Sequence, residues 1–231
     1  MEADRQRWTR EVERIHTRYQ VEVVEAFGLC PWAKEARTNG HVQMVVAFTR
    51  SADPAAVLAT LPLIDDAMRA DATEVGMLIF PQLPVDRLGF AHFVGEVRTA
   101  EEQRRPRGQQ PFALADFHPD AQPDARTPHT LVPFLRRAPD PMIQVIRTGV
   151  LAHVRGPHEQ GTKYLDAAQL AEIASGTLSA PPTAVSTRVA EHNYRTVQRL
   201  GAAQLQSVFL TIAADRNQSY AALGMDVPDT R

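Results

Sequence analysis

Three short β-rich apolar runs, Val42–Phe48, Val75–Phe80 and Phe112–Phe117, are separated by segments whose apolar residues recur at helical spacing. This alternation limits the chain to folds in which helices pack on a sheet. Between the first two runs, Asp53 can cap a helix opened by Pro54 and carried by Val57, Leu58, Leu61 and Ile64, with Pro62 an irregularity. Between the second and third, Phe90, Phe93, Val94 and Val97 fall at i, i+3, i+4 and i+7, which predicts a helix from about Val85 to Arg104. The order β-α-β-α-β therefore predicts one α+β (or small α/β) domain, with a central sheet of three or more strands.

The flanks read as helical. Val12, Ile15, Tyr19, Val23 and Ala26 give a first helix from Trp8 to Phe27, ended by Gly28 as a left-handed residue. A short helix follows from Pro31 and stops at Asn39-Gly40. His118–Pro141 holds six prolines and reads as a long loop. Met142–His153 resumes apolar periodicity as a helix, with Asp140 as its cap and Pro141 in its first turn. Asp166–Gln169 is a capping box, Ala180–Thr183 a break, and helices at Ser186–Leu200 and Gln204–Ala214 complete a helical C-terminal part. One domain over residues 1–225 with a frayed tail at 226–231 is expected.

Composition narrows the function. Lys and Arg number 25 against 27 Asp and Glu, so the net charge of −2 argues against a dedicated nucleic-acid binder. No apolar run approaches a membrane span, and the N-terminus has no apolar signal segment. The single Cys30 permits no intramolecular disulfide and suits a reducing compartment, so a cytoplasmic protein is expected. The expected partner is a small molecule, neither nucleic acid nor membrane, and a homo-oligomer stays open.

Three clusters could carry chemistry. Cys30 falls between Gly28 and Pro31 with Lys34 one turn on, a setting that favours a thiolate for nucleophilic, redox or haem-iron chemistry. A small buried hydrophobe is the plainer alternative. Asp116, His118, Asp120, Asp124 and His129 lie at the end of the third strand and beyond it. His118, Asp120 and His129 together are a ligand set for iron, zinc or manganese; alternatively His118 only orders the turn. Arg136 and Arg137, with Arg147 farther on, could grip an anionic ligand or cofactor, or pair with the acidic loop.

Gly28-Leu-Cys-Pro-Trp-Ala-Lys34, Phe117-His-Pro-Asp120, Arg137-Ala-Pro-Asp-Pro141 and Glu191-His-Asn-Tyr-Arg195 followed by Leu200-Gly201 stand in one order. In this the chain resembles the uncharacterised bacterial domain-of-unknown-function family DUF1415 from about Gly28 to Gly201. The family pattern has a His where this chain has Phe80 and another where it has Gln144, while Cys30, His118 and Arg137 match. The resemblance implies that any multi-histidine metal site of the family is lost or remodelled here, and it carries over no reaction. Two functions are expected from these readings. One is an enzyme acting on a small anionic metabolite, with a metal- or haem-assisted oxidoreductase first and Cys30, His118 and Arg137 as its catalytic set. The other is a non-catalytic ligand-binding or accessory protein. In the first, the three catalytic side chains should converge on one pocket.

Overall fold

The computed structural model describes residues 2–30, 33–69, 73–104, 112–147 and 185–228. Strands β1 (Val42–Val46), β2 (Val75–Ile79), β3 (Phe112–Phe117) and β4 (Met142–Arg147) form one sheet in the order β1-β2-β4-β3. β1 and β2 are parallel, and β4 runs antiparallel to both β2 and β3. The C-terminal ends of β2 and β3 therefore meet the N-terminal end of β4 at one edge, with Ile79 and Phe117 both opposite Met142.

Alternation along the strands divides the core. Met77, Ile79 and Met142 join a cluster with Val12, Ile15, Tyr19, Leu131, Phe209 and Ile212. Leu78, Ile143 and Val145 join a second with Leu61, Ile64, Phe90 and Phe93. The second cluster is contributed by α3 (Pro54–Arg69) and α4 (Arg87–Gln103). The first is built from α1 (Glu2–Tyr19), α5 (Pro128–Leu135), α6 (Val185–Leu200) and α7 (Ala202–Ala222). Helices cover both sheet faces, and the fold is α+β.

Several boundaries and one element type differ from the sequence reading. The first helix begins at Glu2 and passes into a π-helical stretch, Gln20–Glu25, before Gly28 turns the chain at φ 59°. A short α2 (Ala33–Thr38) follows. Asp53 does cap α3, its Oδ1 accepting from Ala55 N at 2.9 Å. Met142–Arg147 is a strand, not a helix, so Asp140 and Pro141 precede β4. The reason is its place inside the sheet. With helices over both faces, Ile143 and Val145 are as buried as Met142, and no polar alternation marks the strand. The long loop also contains α5, where Thr127 caps the helix in a reciprocal box with Thr130 and Pro128 opens it. The last helix runs on to Ala222. The tail expected to fray is docked where it begins, because Gln82 Nε2 donates to the Asp226 carbonyl at 2.8 Å. The expected features at Asp166–Gln169 and Ala180–Thr183 lie outside the described residues.

Candidate functional site

At the edge where β2 and β3 end and β4 begins, the chain encloses a cleft of about 300 Å³. That volume is at the lower end for small-molecule sites, and strand ends are where such sites collect in open sheets. The β2–α4 connection, Pro81 to Asp86, forms one wall. His118 and Asp120, just past β3, form another, and Pro141, Arg216 and Pro228 close it.

His118 is 3% exposed, and its ring lies 5.8 Å from that of Phe90. Its Nε2 is 3.0 Å from the Val85 carbonyl, and its Nδ1 is 3.2 Å from the Asp120 amide. A carbonyl only accepts and an amide N–H only donates, so the imidazole is neutral with its proton on Nε2. Burial lowers its pKa, against smaller opposing effects of the Val85 carbonyl and the Asp120 carboxylate. The residue ties the exit of β3 to the entry of α4.

This state gives a pH test. Above the ordinary histidine value of about 6.5, His118 is neutral folded and unfolded and its contribution to stability is fully present. As pH falls below that value, the unfolded chain takes up a proton that the folded state resists, so stability drops until the lowered folded value is reached. Urea midpoints are expected to decline from about pH 7.5 toward about pH 5, and His118→Gln to flatten part of that slope. Equal slopes in the two proteins would show that His118 is not held neutral.

The floor of the cleft is charged. Arg216, 2% exposed, donates from Nε and Nη2 to Asp140 Oδ1 at 2.9 and 2.7 Å. Its Nη1 donates to Asn217 Oδ1 at 2.9 Å. Asp140 Oδ2 accepts from Tyr220 Oη at 2.9 Å and from His16 Nε2 at 3.0 Å. Asp140 is fully buried; burial alone would raise its pKa, but the Arg216 guanidinium and the His16 bond hold it below the ordinary value. Arg216 uses three of its five N–H groups in these bonds, which leaves two without a partner among the described residues.

The sequence candidates distribute unevenly. Arg137 lies near His118 in the chain path, for His118 N donates to the Arg136 carbonyl at 3.0 Å. Its guanidinium donates to the Pro119 carbonyl at 2.8 Å and to Gln206 Oε1 at 2.9 Å over the Phe209 ring, with Asp120 close enough to act on its charge. Cys30, half-buried, lies close enough to Tyr19 to add to burial in raising that phenol's pKa. Tyr19 stacks on Phe209, so Cys30 and Arg137 belong to the α1–α7 side of the sheet. Neither lines the cleft. Arg136 meets Asp116 at 3.2 Å and lines a smaller cavity on which His118 also borders. Lys34 is exposed on α2.

Asp120 places its carboxylate 3.7 Å from His118 Nδ1. The side chains of His129 and Arg147 lie outside the described residues. Among those described, no group of three or more His, Cys, Asp or Glu side chains is arranged to hold a metal ion.

Sequence reasoning missed His16, Arg216 and the role of Asp140. A signal was present: His16 interrupts the apolar stripe Val12, Ile15, Tyr19, and Arg216 the stripe Phe209, Ile212, Tyr220. A charged or titratable residue on a buried face calls for a buried partner.

A mixed-sheet α+β protein with a metabolite-sized cleft at its strand ends is the class that these features define. The chain belongs to the family described as "Protein of unknown function (DUF1415)", whose model matches residues 11–163. No curated protein and no solved structure matches it. The match takes in the second half of α1 and ends before α6, so Glu191–Arg195 and Leu200-Gly201 fall beyond it. Phe80 and Gln144, where the resemblance implies histidines, sit on opposite faces of the sheet. Phe80 packs on Phe90 and Phe93, whereas Gln144 shares the face of Met77, its partner in register. Histidines there would not be co-ligands of one metal ion. No helix among the described residues is long and apolar enough to cross a membrane.

Proposed function

We propose that the chain is a ligand-binding protein whose strand-end cleft takes a small anionic metabolite. The observation that carries this is Arg216: a buried guanidinium on the cleft wall with two N–H groups uncommitted among the described residues, available to an oxyanion or carbonyl oxygen. Asp86 and Asp120 line the same space and would accept hydrogen bonds from hydroxyl or amino groups on that ligand. Binding fits better than catalysis by His118, since general base action there requires giving up the Asp120 amide bond. A metal- or haem-assisted oxidoreductase would face the same demand if His118 were a ligand. A single cysteine, which permits no intramolecular disulfide, supports a cytoplasmic location.

One observation favours a second reading, an enzyme using the Cys30 thiol. Asn193 donates to the Leu29 carbonyl at 3.2 Å, while its own buried Oδ1 has no hydrogen-bond partner among the described residues. That leaves an unused acceptor beside the cysteine. Loss in Cys30→Ala of any turnover found would uphold this reading, and full retention would end it.

The binding reading is tested by thermal shift against a library of small carboxylates and phosphates. At least one ligand is expected to raise the Tm of the wild type and to lose that effect with Pro84→Phe, which places a ring at the exposed rim of the cleft. Equal stabilisation of both proteins by every active ligand would contradict it.

A further inference from the structure

We propose that the smaller cavity on the other side of His118 is a separate oxyanion site, binding one phosphate or carboxylate group between Arg87 and Arg136. It goes beyond the strand-end cleft and does not depend on it.

The cavity measures about 60 Å³. Water occupies about 30 Å³ in the liquid, so the space suits a single headgroup and not a whole metabolite. Arg87, the first residue of α4, and Arg136, just past α5, both line it. Among the described residues Asp116 is the only carboxylate lining it, so two guanidiniums face one negative charge. Asp116 engages Arg136 at a single point, Nη1 to Oδ1 at 3.2 Å, which leaves most of that planar fork undirected. The Arg87 side chain has no hydrogen bond or ion pair among the described residues.

The rest of the lining favours the same ligand. Val132, Pro133 and Ala121 supply apolar surface, and a proline offers no N–H to compete. His118 borders the space as a neutral ring, its two nitrogens already bonded to backbone, and so adds no charge. An oxyanion entering here would restore neutrality and accept bidentate bonds from an arginine whose donors are otherwise solvated. The remainder of a larger ligand would project outward.

The experiment uses the full chain and two probes, inorganic phosphate and acetate, each titrated at constant ionic strength against chloride while Tm is recorded. A saturable rise with at least one probe is expected. Arg87→Gln and Arg136→Gln should each weaken it about tenfold or more, and the double variant should abolish it. Arg195→Gln, which removes an exposed guanidinium elsewhere, should leave it unchanged. A response to phosphate alone marks a phosphorylated ligand, and one to acetate alone a carboxylate; either upholds the site. No saturable response up to about 10 mM, weaker than ordinary millimolar recognition, would overturn it. So would an equal response in wild type and Arg87→Gln. The Arg87 side chain has no hydrogen-bond partner among the described residues, so that variant decides the matter by itself. Pro84→Phe should retain the response, which separates failure here from failure of the cleft.

Discussion

Asp140→Asn is expected to cost about 3–5 kcal/mol of folding stability, the range found when one partner of a buried ion pair is removed. The substitution keeps the shape of the side chain but takes away its charge. Arg216 is then left as a cation with 2% exposure and no counter-charge, and Tyr220 and His16 lose a strong acceptor. Urea denaturation would measure the effect. Removing both charges together, in Asp140→Leu with Arg216→Met, should cost less than the sum of the two single changes, because no unpaired charge remains buried. Strict additivity would mean that the pair is not coupled.

The same carboxylate has an acid signature. Its folded pKa is depressed, so its stabilisation is fully present above the ordinary value near 3.9 and is lost as pH falls through the folded value. Asp140→Asn should remove that part of the acid-unfolding slope.

Gly76→Val is expected to cost about 1–3 kcal/mol, with the larger figure favoured by how little room there is. Gly76 sits mid-strand in β2, where α3 presses onto the sheet. A Cβ there would fall 2.8 Å from Ile64 Cγ2, 3.1 Å from Ile64 Cδ1 and 3.3 Å from Val145 Cβ. Ile64 is fully buried, so it can yield only by shifting within the core. Ordinarily, replacing a strand glycine with alanine gains about 0.5–1 kcal/mol by restricting the unfolded chain. Gly76→Ala reverses that sign if α3 lies as close as the structure places it. Combining it with Ile64→Val should recover part of the loss, and a stabilised Gly76→Ala would refute the close approach.

The sequence carried the elements whose two faces differ or whose ends are marked. β1, β2 and β3 were legible as β-rich runs, and α3 and α4 as apolar stripes with Asp53 and Pro54 at one start. β4 was not. A strand covered on both faces has no polar alternation, and Met142, Val145 and Ile146 also satisfy a helical period. α5 hid behind its prolines, although Thr127-Pro128 is a helix start.

The site was legible in part. His118 was found because it stands at a strand end in a distinctive motif, and the reading that it orders its turn describes its bonds in the structure. Arg137 was found for the same reason, but its direction depends on Phe209 and Gln206, far along the chain. His16, Asp140 and Arg216 are brought together from positions up to 200 residues apart, which no local pattern encodes. Their polar character on apolar stripes was the one local trace.

The proposed ligand site is the strand-end cleft beside His118. The most direct measurement is an amide chemical-shift map of the labelled protein, titrated with whichever small anion gives the largest saturable Tm increase. Shifts centred on Leu83, Val85, His118, Asp120 and Arg216 are the expected result, since Arg216 is the cation that the ligand would engage. Shifts centred instead on Lys34, Cys30 and Arg137, with the cleft amides unmoved, would contradict the account.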